Sequence, residues 1–231
     1  MTIDTLFFDL DGTLTDNYIG ISGCIAHALT KLGVDVPDEA TLRGCVGPPL
    51  RASFGRFLDT VEPERIEQAL LHYRERFEVH GWQENTPYPG IDAALGALAA
   101  HGFRMFVCTS KPQRYAERIV GHFELRKYFS AVYGADLPGA FDDKRKLLAH
   151  ALAERKIDPA GAIMIGDRAQ DMQAASANRM SGLGVLYGYG SREELLEAGA
   201  SALCESVAGL PGAIAGNASI RGLPANQPCA H

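Results

Sequence analysis

No apolar run in this chain approaches the roughly 20 residues needed to span a bilayer, so no membrane partner is expected. Basic charge is not in excess either: 22 Lys and Arg face 28 Asp and Glu, for a formal net charge of −6. Such a surface has no general field for nucleic acid or anionic lipid, which leaves a small substrate as the expected partner. Cysteine is sparse and unpatterned. Cys24, Cys45, Cys108, Cys204 and Cys229 are scattered, odd in number and without a CxxC spacing, as suits free thiols in a reducing cytoplasm. The seven histidines show no ligand spacing. The opening residues carry an acid, Asp4, and neither a basic stretch nor an apolar signal core, again pointing to the cytoplasm. There is no internal repeat. What remains is 231 residues, 46% hydrophobic and 22% charged, enough for one large globular domain or two modest ones.

The chain has two textures. From about Asn17 to Asn85 the pattern is helical: Ile21, Cys24, Ile25, Ala28, Leu29 and Leu32 keep helical spacing up to Gly33. Ile66, Ala69, Leu70, Tyr73 and Phe77 do the same before Gly81. From Pro87 onward short apolar strands (Met105–Cys108, Ala131–Tyr133, Ala162–Ile165, Leu183–Leu186, Ala202–Cys204) alternate with helical patterns. This predicts an α/β fold, a doubly wound, Rossmann-like parallel sheet. The opening strand belongs to the same sheet, so residues 17–85 read as an all-helical insertion into a core made of residues 1–16 and 86–215. An insertion there would act as a lid. Residues 216–231 read as a loose tail.

Two strand exits carry paired acids. The first is Phe7-Phe8-Asp9-Leu10-Asp11-Gly12-Thr13. Strand alternation would point Asp9 and Asp11 to one side, where they repel unless a cation, a shared proton or a substrate relieves them. The second is Ile163-Met164-Ile165-Gly166-Asp167, with Asp171 four residues on, facing back from the first turn of a helix. Alone, Asp167 reads equally well as a helix N-cap and Asp171 as a first-turn acid. If the two strands lie side by side, four carboxylates meet at the carboxyl end of the sheet. An all-oxygen cluster suits Mg²⁺ better than Zn²⁺.

Two further exits fit an anion. Thr109-Ser110-Lys111-Pro112 follows an apolar strand and offers a hydroxyl and backbone N–H groups, although Ser110 as a plain helix cap explains it too. In Phe141-Asp142-Asp143-Lys144-Arg145-Lys146, Lys144 falls in a first helical turn, where the dipole disfavours it. It therefore needs a partner: Asp142 or Asp143 on the surface, or a carboxylate or phosphate in the cleft. Cys108 reads as an apolar strand residue and Arg145 and Lys146 as a solvated face. Arg51, after Gly47-Pro48-Pro49, is the insertion's candidate for an anionic leaving group, against the bland reading of an exposed helix arginine.

Asp9-x-Asp11-Gly12-Thr13, Thr109, Lys144 and Gly166-Asp167-x-x-x-Asp171 together resemble the four motifs of the haloacid dehalogenase-like superfamily, in order and spacing, over about residues 1–215. One departure is Asp143-Lys144-Arg145 in place of Lys-Pro-x-Pro. The helical insertion resembles the family's C1 cap. Cys45-Val46-Gly47-Pro48-Pro49-Leu50 and Tyr187-Gly188-Tyr189-Gly190 look most like the phosphoglycolate phosphatase and bacterial 5′-nucleotidase branch. The resemblance implies a phosphatase acting on a small phosphorylated metabolite, with Asp9 as nucleophile and Asp11 as general acid and base. It further implies Mg²⁺ on Asp9, Asp167, Asp171 and the Asp11 backbone carbonyl, and Thr109, Ser110 and Lys144 on the phosphoryl oxygens. A phosphosugar mutase keeps the same residues, and a non-catalytic metal or phosphate-binding module is a third reading. A haloacid dehalogenase would not need Asp11.

Overall fold

The computed structural model describes residues 3–135 and 143–217; Phe141, Asp142 and the tail residues 218–231 lie outside them. The first strand, β1 (Thr5–Phe8), precedes a two-residue strand β2 (Thr15–Asp16) and helices α1 (Tyr18–Lys31), α2 (Glu39–Arg43), α3 (Leu50–Phe57) and α4 (Pro63–Arg76). After β3 (Thr86–Pro87) come α5 (Ile91–Ala100), β4 (Arg104–Pro112), α6 (Gln113–His122), β5 (Phe129–Ala135) and α7 (Lys144–Arg155). The chain continues through β6 (Ala162–Gly166), α8 (Ala169–Ala177), β7 (Ser181–Val185), α9 (Arg192–Glu197), β8 (Ala202–Cys204) and α10 (Leu210–Asn217). Helix α10 takes in Gly216 and Asn217, which composition alone places in the tail. No helix among the described residues is long and apolar enough to cross a membrane.

The chain divides into two compact units, Met1–Leu14 with Pro87–His231, and Thr15–Thr86. The first holds a six-stranded, Rossmann-like parallel sheet in the order β5-β4-β1-β6-β7-β8. Adjacent residues on a strand point to opposite faces, and Leu6, Phe7 and Phe8 are all fully buried, so both faces of β1 are covered. Phe7 stacks on Phe106 with ring centroids 5.0 Å apart, within a core cluster that includes Leu148, Ala151 and Met164. In register, Phe8 stands between Val107 of β4 and Ile165 of β6. From β1 the sheet grows outward through β4 to β5, then the chain returns to β6 on the other side. The exits of β1 and β6 thus flank the point where strand order reverses.

The second unit is helical, as its spacing predicts, with one refinement at its end. Ile21, Cys24, Ile25, Ala28 and Leu29 of α1 are buried, as are Phe54 of α3 and Ala69, Leu70 and Tyr73 of α4. The last turn, Phe77–Gly81, is π-helical, and Phe77 at its start stacks on Tyr73 at 5.7 Å. A Cβ on Gly20 would lie 2.3 Å from the Gly81 carbonyl oxygen, so a glycine is required where these backbones meet. Arg76 closes the turn with two hydrogen bonds to Glu84, at 2.7 and 2.9 Å. The short pair β2–β3 is not legible in the helical periodicity, because two residues show no alternation.

Removing the central aromatic of the sheet tests this packing. Phe7→Ala is expected to lower unfolding free energy by about 3–5 kcal/mol in urea titrations. A loss under about 1 kcal/mol would show that Phe7 is not held as described.

Candidate active site

Strand β1 ends at Phe8, one residue before Asp9, so alternation along a strand does not govern Asp9 and Asp11. The chain turns instead: the Leu14 N–H donates to the Leu10 carbonyl at 2.9 Å, and Gly12 takes φ 82°, a left-handed value that favours glycine. The two carboxylates therefore part. Asp9 Oδ1 accepts from the Leu10 N–H at 2.7 Å and from Lys144 Nζ at 2.8 Å. Asp11 Oδ2 accepts from Lys111 Nζ at 2.8 Å, and its Oδ1 is buried without a partner.

Asp167 follows β6 directly and is fully buried. The N-cap of α8 is Arg168, not Asp167, so the capping explanation for Asp167 fails. Asp171 keeps its helix-terminal role, its Oδ2 accepting from the Arg168 N–H at 3.0 Å, while Oδ1 accepts from Lys144. One residue serves both functions. Close approach needs absent side chains: a Cβ on Gly12 would lie 2.2 Å from Asp167 Oδ2, and one on Gly166 would lie 2.1 Å from the Asp171 carboxyl carbon.

Asp9, Asp167 and Asp171 each place a carboxylate oxygen within 4.8 Å of the others, a group able to hold a metal ion. The cluster holds three carboxylates rather than four; the Asp11 side chain pairs with Lys111 instead. Its donors are all oxygen, and among the described residues no sulfur or imidazole joins them, which fits a small hard cation.

Lys144, at the start of α7, is 5% exposed and bridges Asp9 and Asp171. Asp143 is not its partner; that side chain caps α7 through the Arg145 N–H at 3.0 Å and pairs with the Arg145 guanidinium. Arg145 and Lys146 are exposed. Thr109 is buried, its Oγ1 accepting from the Lys111 N–H at 3.3 Å. Ser110 is exposed and caps nothing, because β4 runs on to Pro112, which itself precedes α6. Gly134 lets it do so: a Cβ there would lie 2.7 Å from the Lys111 carbonyl oxygen. Arg51 belongs to the helical unit, where it is exposed on α3 and ion-paired with Glu67.

Lys111 was not singled out by its position in the sequence. The signal available was a lysine in an otherwise apolar strand exit, two residues after Thr109. Lys111, 8% exposed, sets its Nζ 2.8 Å from Asp11 Oδ2.

Burial sets the electrostatics. It pushes the Asp11 carboxyl above its usual range against the pull of Lys111. Burial, then Asp171 and Asp9, hold Asp167 well above that range. Asp171 is raised by burial in spite of Lys144. Burial works against the charged form of Lys144, but Asp171 and Asp9 outweigh it and keep the lysine protonated. The Cys108 thiol is pushed up to about 12 by burial and is inert.

A model of the haloacid dehalogenase-like hydrolases matches residues 6–185. The chain belongs to that family. A 5′-nucleotidase of Pseudomonas aeruginosa is 40% identical over 205 residues, 89% of this chain and 92% of that protein. Tyrosine-protein kinase PtkA of Mycobacterium tuberculosis is 37% identical over 80% of this chain but only 62% of its own length. A phosphoglycolate phosphatase of Psychrobacter arcticus is 32% identical over 82% of this chain and 86% of that protein. Among solved structures, a predicted phosphatase from Clostridium acetobutylicum superposes with TM-score 0.86 at 39% identity, covering 91% of this chain and 97% of that one. Family and relatives together identify this haloacid dehalogenase-like protein as a phosphatase.

A carboxylate with a raised folded-state pKa costs stability above that pKa and stops costing it as pH falls through it. Asp167→Asn is therefore expected to raise the melting temperature of the metal-free protein by several degrees at pH 7.5. The gain should shrink at a lower pH such as 5, because burial and the neighbouring carboxylates favour the protonated form of Asp167 as pH falls. Thermal unfolding in EDTA at both pH values checks this; a variant less stable than wild type at pH 7.5 contradicts it.

Proposed function

We propose that this chain is a Mg²⁺-dependent phosphomonoester hydrolase that works through an aspartyl-phosphate on Asp9. The observation that carries the reading is the position of Asp9. Its Oδ1 is anchored by Lys144 and the Leu10 N–H, beside Asp167 and Asp171 and two positions from Asp11, whose carboxyl burial keeps ready to hold a proton.

Asp9, Asp167 and Asp171, with the Asp11 backbone carbonyl, would hold Mg²⁺, which when bound supplies neutralisation of the phosphoryl charge. The chain's own residues do the rest. The Asp9 carboxylate, held by Lys144, attacks phosphorus in line; the Asp9–phosphorus bond forms as the bond to the leaving oxygen breaks. Asp11 gives its proton to that oxygen. It then takes one from the water that attacks phosphorus, which frees Asp9 and releases phosphate. Thr109, the Ser110 amide and Lys144 stabilise the phosphoryl oxygens as charge redistributes.

The substrate class rests on relatives. The proteins compared are named a 5′-nucleotidase, a phosphoglycolate phosphatase and a tyrosine-protein kinase, and two of these three act on small phosphomonoesters by name. A nucleoside 5′-monophosphate or phosphoglycolate is accordingly proposed as substrate.

A phosphate-release screen over small esters with Mg²⁺ tests the reading. Nucleoside monophosphates or phosphoglycolate should turn over faster than p-nitrophenyl phosphate. Turnover should stop in EDTA and in Asp9→Asn, whose amide is neither nucleophile nor anionic ligand. Undiminished turnover in EDTA, or Asp9→Asn within about tenfold of wild type, would overturn the mechanism. An isomerised sugar phosphate without free phosphate would establish the mutase instead.

A further inference from the structure

The turn that follows β7, Tyr187 to Gly190, packs against Asp167. The Tyr189 N–H donates to Asp167 Oδ2 at 2.8 Å, and the Thr13 hydroxyl donates to Oδ1 at 3.4 Å. Thr13 is tied in turn, its carbonyl accepting from the Tyr187 hydroxyl at 3.2 Å, and the Tyr187 ring meets Tyr88 edge-on at 5.1 Å. Neither Gly188 nor Gly190 has a positive φ, so conformation does not demand glycine at either position. Space does. A Cβ on Gly188 would lie 2.3 Å from the Gly12 carbonyl oxygen and 2.4 Å from Asp167 Cβ, and one on Gly190 would lie 1.9 Å from the Asp167 carbonyl oxygen.

We propose that the Tyr187–Gly190 turn is a positioning device for Asp167: a backbone amide aims the carboxylate, two glycines let the turn reach it, and the Tyr187 hydroxyl locks the turn to the loop that carries Asp9 and Asp11. Both oxygens of a fully buried carboxylate are thereby fixed before any cation arrives. This proposal rests on the reading of Asp167 as a metal ligand. Groups that orient a metal ligand act on affinity for the ion, because a carboxylate free to rotate must be ordered on binding. They do not touch the ester, so its KM should be left alone.

The test is calorimetric titration of Mg²⁺ into wild type, Tyr187→Phe and Gly188→Ala, with the metal-free melting temperature and steady-state kinetics measured alongside. Tyr187→Phe keeps the ring and removes only the hydroxyl, so it decides the matter if Gly188→Ala does not fold. Mg²⁺ affinity should fall about tenfold in Tyr187→Phe and by about tenfold to a hundredfold in Gly188→Ala. In Tyr187→Phe the metal-free melting temperature should stay near wild type, KM for the ester should not move, and kcat should recover at saturating Mg²⁺. Wild-type Mg²⁺ affinity in Tyr187→Phe overturns the proposal. So does a weakened affinity that follows a lowered metal-free melting temperature, since that is a structural loss. Wild type that binds no Mg²⁺ overturns the underlying reading of the site, a result distinct from either.

Discussion

The structure is organised around uncompensated negative charge held out of water. Asp9, Asp11, Asp167 and Asp171 gather at one end of the sheet against two ammonium groups, Lys111 and Lys144. Burial penalises the charged form of each carboxylate, and their neighbours' charges add to that cost; the upward shifts of Asp11, Asp167 and Asp171 record it. A core assembled for stability alone has no use for such a cluster; apolar residues would fill the same volume at lower free energy. The fold offsets the cost with a continuous apolar sheet beneath, in which Phe7, Phe8, Phe106, Ile163 and Ile165 are all at most 2% exposed.

Placement follows from topology. Parallel strands all end at the same edge, and the reversal of order puts the exits of β1 and β6 side by side. The Asp9 N–H donates to the Ile165 carbonyl at 2.8 Å, so the Asp9 loop is pinned to the strand that leads to Asp167. Helix starts supply the remaining groups: Lys144 opens α7 and Asp171 lies in the first turn of α8. Glycines then permit an approach that any side chain would block.

Much of this was legible in the chain because it is local. Apolar runs ending in Asp-x-Asp-Gly-Thr and Gly-Asp mark strand exits whatever lies around them, and strand–helix alternation implies the parallel sheet. Residues whose meaning depends on a neighbour from elsewhere in the chain were less legible. Asp11 turns away from Asp9 to pair with Lys111, 100 positions away, and Ser110 is no cap because Gly134 lets β4 continue. Lys144 needed a partner on dipole grounds, but nothing in its vicinity names Asp171 over Asp143. The Tyr187–Gly190 run stands out as a pattern, yet its contact with Asp167 appears only once β7 is laid beside β6.

The central claim is that Asp9 carries the phosphoryl group. The most direct measurement is a quench of turning-over enzyme with borohydride, which reduces an acyl-phosphate to the alcohol, followed by peptide mapping. The account predicts conversion of the Asp9 side chain to the homoserine alcohol, dependent on substrate and absent when substrate is withheld. Reduction at another residue, or no reduction while phosphate is being released, would contradict it.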